Sequence, residues 1–286
     1  MLRTLPLNDG HTIPQLGYGV HRIPPVDTQA AVEAAFEVGY RHIDTATIYR
    51  NEAGVGAAVR ASGIDRSELF ITTKLWNTDQ GYDTALEACE RSLELLGLDY
   101  LDLYLIHWAQ PGLGKYRQSW DALLELRERG LVRSVGVSNF TEQQLDDLKD
   151  SGVVPAVHQL ELHPSFNQAQ MRRANSDRGI ITEPWAPLGV GDDLKDQTIV
   201  DIAEARGVDA GAVVIAWHLA HGMVPLPKTV TPTRLTSNFA AQELQLNPDE
   251  VAAIDALTRA DGRRGPDPAE GDLGAPIYSD RRSFRG

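Results

Sequence analysis

Four polar side chains that end or follow short apolar runs could together act on a carbonyl group. They are a carboxylate, a phenol, an amine and an imidazole, supplied by Asp44, Tyr49, Lys74 and His107. A neighbouring ammonium stabilises a phenolate and lowers the pKa of the phenol, which makes the phenol a better proton donor at neutral pH. A carboxylate can hold the lysine charged and oriented, and an imidazole can offer an N–H to a carbonyl oxygen. These residue types therefore suit carbonyl reduction, provided that the fold brings them together.

The apolar runs before these side chains predict strands, and the strands alternate with stretches of helical spacing. Eight strands are predicted, at residues 15–19, 41–44, 69–74, 101–107, 132–137, 156–160, 180–185 and 223–227. Helices are predicted at residues 28–38, 82–96, 119–129 and 141–149, with a glycine near each C-terminal end. In a parallel α/β fold the carboxyl ends of the strands lie on one face, so the four side chains should converge there.

This alternation, in a chain of 286 residues, predicts one α/β domain spanning residues 1–286, a (β/α)8 TIM barrel. An open, doubly wound sheet is the alternative. A turn at Asn8-Asp9-Gly10 predicts a small N-terminal hairpin. Residues 260–286 are rich in Gly, Pro, Asp and Arg and lack any helical or strand period. They could form a disordered tail or a loop over the barrel mouth.

Composition bears on whether the protein binds nucleic acid, contains a reactive cysteine or crosses a membrane. The net charge of −13 argues against a general nucleic-acid surface, because binding to phosphates needs a concentrated basic face. The single cysteine, Cys89, lies in a helical apolar stripe and predicts a buried, unreactive thiol. The first ten residues contain no apolar h-region, and the longest uncharged stretch, 211–227, is interrupted by His, Gly and Pro. We therefore expect a cytoplasmic protein without a membrane span, and a monomer by default.

Three segments resemble, in order, the signatures of the aldo-keto reductase family. The first is residues 39–46, Gly-Tyr-Arg-His-Ile-Asp-Thr-Ala, followed by Glu52 and Val55-Gly56. The second is residues 134–140, and the third is residues 226–229, Leu-Pro-Lys-Thr, with Arg234, Ser237 and Asn238 after it. The resemblance extends from about residue 7 to residue 260 and is strongest to the bacterial branch that includes the 2,5-diketo-D-gluconate reductases.

The resemblance implies a TIM barrel, NADPH as cofactor and reduction of aldehydes or ketones, such as dicarbonyls or keto sugar acids. It makes Tyr49 the general acid, Lys74 and Asp44 the pair that tunes it, and His107 the group that orients the substrate carbonyl. The family binds NADPH without a Rossmann domain, and this sequence has no Gly-x-Gly-x-x-Gly motif after its first strand. The missing motif is therefore not evidence against a dinucleotide.

The resemblance also assigns residues around the cofactor and the substrate. Eight positions match cofactor contacts: Ser138, Asn139, Gln159, Trp185, Lys228, Thr229, Arg234 and Asn238. The first three match groups that bind the nicotinamide carboxamide, the tryptophan matches the residue that stacks on that ring, and the last matches an adenine contact. Lys228, Thr229 and Arg234 match a clamp for the 2′-phosphate, which favours NADPH over NADH. The substrate walls are expected to be His21, Trp76 and Trp108.

Four positions depart from the family pattern. His21 stands where relatives often carry an apolar aromatic residue, and Ala109 stands where they carry Pro. His158 replaces a usual Asn, and Ser237 replaces a common Glu or Gln. The first three departures bear on substrate choice, and the last bears on the grip on adenine.

Three functions from different classes are consistent with the residues. The first is an NADPH-dependent carbonyl reductase, which the complete set of four polar side chains favours. The second is an NADPH-binding regulatory protein with little turnover. The third is a metal-dependent hydrolase on the same fold, but no His-Glu-x-x-His motif or paired-cysteine spacing supports a metal site.

Overall fold

The computed structural model describes residues 3–270, in which a curled parallel sheet is surrounded by helices. The strands are β1 (Thr4–Pro6), β2 (Thr12–Pro14), β3 (Tyr18–Gly19), β4 (His42–Asp44), β5 (Phe70–Leu75), β6 (Leu101–Ile106), β7 (Val132–Ser138), β8 (Val157–Glu161) and β9 (Ile181–Trp185). The helices are α1 (Pro25–Val38), α2 (Glu52–Ala61), α3 (Tyr82–Leu96), α4 (Tyr116–Glu128), α5 (Glu142–Asp146), α6 (Ala169–Asp177), α7 (Gln197–Arg206), α8 (Ala210–Ala220), α9 (Pro232–Ala240) and α10 (Pro248–Asp255).

Two sheets account for all these strands. β1 and β2 form an antiparallel hairpin around Asn8-Asp9-Gly10, where Leu7 N–H donates to His11 O at 2.8 Å. The hairpin predicted from the sequence is therefore confirmed. β3 to β9 pair in parallel and in chain order, so that neighbouring strands are also consecutive. This order is that of a barrel rather than of a doubly wound sheet.

The barrel closes through a segment that is not a regular strand. Four backbone hydrogen bonds of 3.1–3.2 Å join it to both neighbours: Val224 N–H to Thr182 O, Leu226 N–H to Pro184 O, Gly17 N–H to Pro225 O, and Gly19 N–H to Pro227 O. Pro184, Pro225 and Pro227 have no N–H, so the reciprocal bonds of a full ladder are missing. The prediction of a (β/α)8 barrel is confirmed, whereas the prediction of a regular strand at 223–227 is wrong.

Three other predicted boundaries are also wrong, each for a local reason. Only Tyr18–Gly19 of the predicted strand 15–19 pairs with β4, because the backbone N–H of Gln15 instead donates to Arg3 O. The helix predicted from residue 119 begins at Tyr116, and Ser119 Oγ lies inside it, donating to Lys115 O. The helix predicted at 141–149 is shortened to α5 and a separate 3₁₀ turn at 149–151.

The core lies mainly between the sheet and the helices. Trp120 of α4 is 1 % exposed and Trp217 of α8 is fully buried. Cys89 of α3 is buried as predicted, and burial raises the pKa of its thiol to about 12, which makes it a poor nucleophile. Inside the barrel, by contrast, charged side chains occur near the carboxyl ends of the strands. None of the helices within residues 3–270 is long and apolar enough to cross a membrane.

Candidate active site

The four polar side chains are placed by consecutive parts of the barrel. Asp44 ends β4, Lys74 is the next-to-last residue of β5, and His107 directly follows β6. Tyr49 ends a short 3₁₀ turn, Thr47–Tyr49, that follows β4. These positions lie at the carboxyl end of the barrel, as the strand pattern predicts.

Lys74 lies at the centre of the group and is completely buried. Its Nζ donates to both carboxylate oxygens of Asp44, at 2.7 and 2.8 Å, and to the backbone oxygen of Thr45 at 2.8 Å. These bonds match the three hydrogens of an ammonium group and hold it in one place. The same nitrogen is 5.3 Å from the centre of the Tyr49 ring. The expected grouping of acid, amine and phenol is therefore present.

Aromatic rings enclose Tyr49. The Tyr49 and His107 ring centres are 6.0 Å apart at 80°, and His21 lies 4.8 Å from Tyr49 on centre-to-centre distance. Trp76, half-buried after β5, lies 5.1 Å from His107. The structure thus places two of the three predicted substrate-wall residues beside the polar group. The third, Trp108, is 8 % exposed and directly follows His107.

The two imidazoles beside Tyr49 have lowered pKa values. Burial, and then the charge of Lys74, hold the pKa of His107 well below its usual range. Burial is also the largest cause at His21, followed by nearby cations including Arg22, and lowers its pKa to about 4. Both rings are therefore neutral at pH 7, and His107 carries a single N–H. Within residues 3–270, His107 Nδ1 has no hydrogen-bond partner although it is buried.

The predicted nicotinamide contacts end the neighbouring strands. Ser138 ends β7 and is paired in register with Gln159 of β8. Asn139 donates from Nδ2 to His107 O at 3.0 Å and to Ser138 Oγ at 2.9 Å. Its Oδ1 accepts from the indole N–H of Trp185 at 2.8 Å. Asn139 therefore fixes the half-buried tryptophan that ends β9, and its oxygen keeps a lone pair for a further donor.

Gln159 is held by two carboxyl groups. Its Nε2 donates to Asp44 Oδ2 at 2.9 Å and to Glu183 Oε2 at 2.7 Å. Both amide hydrogens are thereby used, and Oε1 accepts no hydrogen bond from the described residues. An amide N–H donor, such as a carboxamide provides, is the partner that this oxygen lacks.

The four remaining cofactor candidates follow the segment that closes the barrel. Lys228 and Arg234 are exposed, and within residues 3–270 neither forms an ion pair. Thr229 is buried, and its Oγ1 accepts from Thr231 N–H at 3.1 Å, which shapes the turn into α9. Asn238 is 5 % exposed on α9. Lys228 lies before the connection into α9 and Arg234 lies within α9. Two such exposed cations in an acidic protein can bind an anion such as a phosphate.

The departures from the family pattern have different structural settings. His158 is fully buried, accepts from Phe140 N–H at 3.2 Å and contacts Asn175 Oδ1 through Nδ1 at 3.0 Å. Burial lowers its pKa to about 4, so it is a neutral structural residue that supports β8. Ala109 is also buried, and Ser237 bonds Arg234 O within α9.

A second polar cluster, which no sequence motif predicts, lies beside this site. His163 lies between Glu161 Oε1 at 3.1 Å and Asp193 Oδ2 at 3.0 Å. Burial alone would lower the pKa of His163, but the hydrogen bonds and charges of these two carboxylates outweigh it and raise the pKa. His163 lies in no recognised motif, and Asp193, which arrives from a distant 3₁₀ turn, has no recognisable sequence signal.

This cluster holds the described part of the C-terminal segment. The backbone N–H groups of Arg264 and Gly265 donate to Glu161 at 2.6 and 2.8 Å, and the Arg264 side chain binds Asp192 and Asp193. A Cβ on Gly265 would lie 2.5 Å from the indole of Trp185. Residues 262–265 therefore dock against the barrel mouth as a loop. The remainder of the predicted loop or tail, residues 271–286, lies outside the described residues.

Glu183 is a further residue that sequence reasoning missed. It is fully buried in β9, two residues before Trp185, and so shares its face of the strand. An acid inside a buried strand is the signal that could have identified it, because such a group needs partners. As for metals, the part of the chain that the structure describes contains no group of three or more His, Cys, Asp or Glu side chains that could hold an ion.

Comparison with known families gives one consistent result. Residues 14–259 match the model of the aldo/keto reductase family. An aldo-keto reductase of Mycobacterium sp. (strain JLS) is 48 % identical over 263 residues, which cover 92 % of this chain and 95 % of the relative. Methylglyoxal reductase DkgA of Salmonella typhimurium is 46 % identical over 265 residues, which cover 92 % of this chain and 95 % of the relative.

Solved structures similar to this chain come from the same family. The Gox0644 D53A mutant in complex with NADPH superposes with a TM-score of 0.91 at 45 % identity, covering 95 % of this chain and 99 % of that one. A Bombyx mori aldo-keto reductase in complex with NADP gives a TM-score of 0.86 at 32 % identity, covering 92 % of this chain and 94 % of that one.

Proposed function

Because this chain belongs to the aldo/keto reductase family, we propose that it uses NADPH to reduce aldehydes and ketones to alcohols, with Tyr49 as the general acid. The observation that carries this proposal is the buried ammonium of Lys74, bound to Asp44 at 2.7 Å and placed 5.3 Å from the Tyr49 ring. A fixed positive charge beside a phenol favours the phenolate that remains when the proton is given up.

The residues at the barrel mouth fit NADPH. Gln159 offers an unbonded amide oxygen that suits the N–H of a carboxamide, and Trp185 offers an indole that Asn139 holds in place. Lys228 and Arg234 would bind the 2′-phosphate, as a point charge and a bidentate guanidinium respectively. When bound, NADPH supplies the hydride that is transferred to the carbonyl carbon.

The protein side of the reaction then has three parts. The substrate oxygen is held by Tyr49 and His107, whose neutral imidazole can donate one N–H. Tyr49 transfers its phenolic proton to that oxygen, and Lys74 stabilises the resulting phenolate. Asp44 keeps Lys74 oriented and balances its charge within the buried site.

The substrate class is proposed more broadly. The walls offered by His21, Trp76 and Trp108 are aromatic and neutral at pH 7, and we propose that they accept a small carbonyl compound such as a dicarbonyl or a keto sugar acid. Activity on methylglyoxal, as named for the Salmonella relative, is the first to test. We further propose a single-domain, monomeric, cytoplasmic enzyme.

Tyr49→Phe tests the assignment of the acid. NADPH oxidation would be followed by absorbance with methylglyoxal, aromatic aldehydes and a keto sugar acid, and NADPH binding by quenching of tryptophan fluorescence. We expect kcat to fall by a factor of at least about 10²–10⁴, because general acid catalysis contributes that much, while NADPH affinity is retained. Tyr82→Phe, at a partly exposed tyrosine of α3, is the matched control and should behave as wild type.

Two outcomes would contradict the proposal in different ways. If Tyr49→Phe reduced carbonyls at the wild-type rate, Tyr49 would not be the acid. If wild type bound NADPH tightly but turned over none of the panel, the regulatory function would replace the reductase.

A further inference from the structure

Glu183 lies deeper in the barrel than the groups assigned to catalysis, and it is connected to them. It is fully buried in β9 and stands in register with Gln159 of β8. Its Oε2 accepts from Gln159 Nε2 at 2.7 Å, and the same nitrogen donates to Asp44 at 2.9 Å. A single amide group therefore bridges the carboxylate of the proposed catalytic set and a second, deeper carboxyl.

This bridge determines which way the amide of Gln159 points. The opposite orientation would place the amide oxygen against the carboxylate of Asp44, which can only accept hydrogen bonds, and would take the N–H donors away from both carboxyl groups, which is costly. In the observed orientation both amide hydrogens of Gln159 are donated to the two carboxyl groups, and Oε1 remains available to accept a hydrogen bond from a ligand. With one carboxyl removed, one amide hydrogen would lose its acceptor and the side chain would be less well fixed.

Glu183 faces few charged groups. His42 and Asp44 approach from β4 and Lys74 from β5, whereas residues 224–227, on the other side of β9, are Val, Pro, Leu and Pro. Burial, and then the charge of Asp44, raise the pKa of Glu183 to about 8. Burial, and then Lys74, lower the pKa of His42 to about 3. The 3.6 Å approach of His42 Nε2 to Glu183 is thus between neutral groups at pH 7.

We propose that Glu183 is a positioning residue that accepts from Gln159 and so fixes its amide oxygen toward the carboxamide of the cofactor. This inference rests on the proposed function, because it assumes that Gln159 binds the nicotinamide end of NADPH. Neutrality is part of the arrangement, since a second anion beside Asp44 would compete with it for the single ammonium of Lys74.

Glu183→Gln and Glu183→Met separate positioning from simple support of the fold. Glutamine keeps an acceptor for Gln159 Nε2, whereas methionine fills the space without one. We expect Glu183→Met to weaken NADPH binding by about five- to tenfold, as expected for one lost hydrogen bond, and Glu183→Gln to restore it to within about threefold of wild type. Glu52→Gln is the matched control, because Glu52 is also buried but bonds Thr73 rather than Gln159.

Infrared spectroscopy of the protein without cofactor tests the protonation state directly. The wild type minus Glu183→Gln difference spectrum should contain a protonated-carboxyl band at pH 6 that disappears as the pH passes about 8. A missing band at pH 6, or equal NADPH affinity of Glu183→Met and wild type, would overturn the inference. If Glu183→Met fails to fold, the infrared result with Glu183→Gln decides.

These measurements do not depend on turnover, so the two proposals can fail separately. Wild type that binds NADPH but reduces no carbonyl contradicts the reductase and still allows the Glu183 variants to be compared. Wild-type turnover, together with an unchanged affinity in Glu183→Met, contradicts only the positioning role.

Discussion

Single residues in this site gain their chemistry from the partners that the barrel brings to them. Lys74 is an ordinary lysine in the sequence, yet in the structure Asp44 and Thr45 accept all its hydrogen bonds and bury it beside Tyr49. Lys228 and Arg234 are the opposite case, because they are exposed and form no ion pair among residues 3–270. A buried, paired cation can tune a neighbour, whereas exposed, unpaired cations can bind a ligand.

Arg234→Ala tests the second role. A charge-assisted hydrogen bond to phosphate contributes about 1.5–3 kcal/mol, so NADPH affinity should fall about ten- to a hundredfold. NADH lacks the 2′-phosphate, and its affinity should change by less than about threefold on the same grounds. Titration of tryptophan fluorescence with each cofactor gives both values.

Arg173→Ala is the control, because Arg173 is an exposed arginine of α6 that was not assigned to the cofactor. It should leave both affinities unchanged. An equal loss of NADPH and NADH affinity in Arg234→Ala would disprove the phosphate clamp.

At the residue scale, the sequence predicted the grouping of the four polar side chains but not the buried acid that lies behind them. The convergence of Asp44, Tyr49, Lys74 and His107 could be predicted because each ends or follows an apolar run at the carboxyl end of a strand. Glu183 was missed because its partners, Gln159 and Asp44, are far from it in sequence. Their meeting follows from strand order and register, which a single sequence does not specify.

At the scale of elements, the sequence predicts strands most closely where apolar-rich runs pair through regular ladders. β5 and β6 are such runs, whereas Pro225 and Pro227 cannot donate, and the segment that closes the barrel is not a regular strand. For a related reason, the sequence does not distinguish a disordered tail from a loop over the barrel mouth at residues 260–286. The anchors of the loop are backbone N–H groups bound by Glu161, and backbone donors have no sequence signature.

His163→Gln tests how the loop is anchored. The folded pKa of His163 is raised above its usual value, so its charged contacts with Glu161 and Asp193 are fully present below about pH 6.5 and are lost as the pH rises through the folded pKa. Hydrogen exchange at the Arg264 and Gly265 amides, corrected for its intrinsic pH dependence, should therefore show less protection at alkaline pH in wild type. Glutamine should remove this pH dependence and lower the protection at acidic pH by about tenfold.

His11→Gln, at an exposed histidine of the hairpin, should leave the same amides unchanged. Unaltered protection in His163→Gln would mean that Glu161 and Asp193 hold the loop without the histidine.

At the scale of the whole molecule, the barrel closes through the contact between its first strand and the irregular segment at residues 224–227. Residues 17–19 and 224–227 meet through one-way hydrogen bonds, and Leu226 packs directly against the first strand. This junction also carries function, because His21 and Lys228 immediately follow its two sides. Because few hydrogen bonds join residues 17–19 to residues 224–227, the barrel is closed here mainly by close packing of the two segments.

Gly17→Ala and Gly19→Ala test this closure as a graded pair. A Cβ at Gly17 would overlap Leu226 Cδ2 and lie 2.8 Å from His42 Nδ1, whereas a Cβ at Gly19 would lie 3.3 Å from Leu226 O. Overpacking of this kind costs about 1–3 kcal/mol, so Gly17→Ala should lower the free energy of unfolding by that amount in urea titrations and Gly19→Ala by less. NADPH affinity should fall in the same order, because displacement of the first strand also separates His21 from Lys228. Equal stability of Gly17→Ala and wild type would show that the junction is loosely packed and that the other strand pairs alone hold the barrel closed.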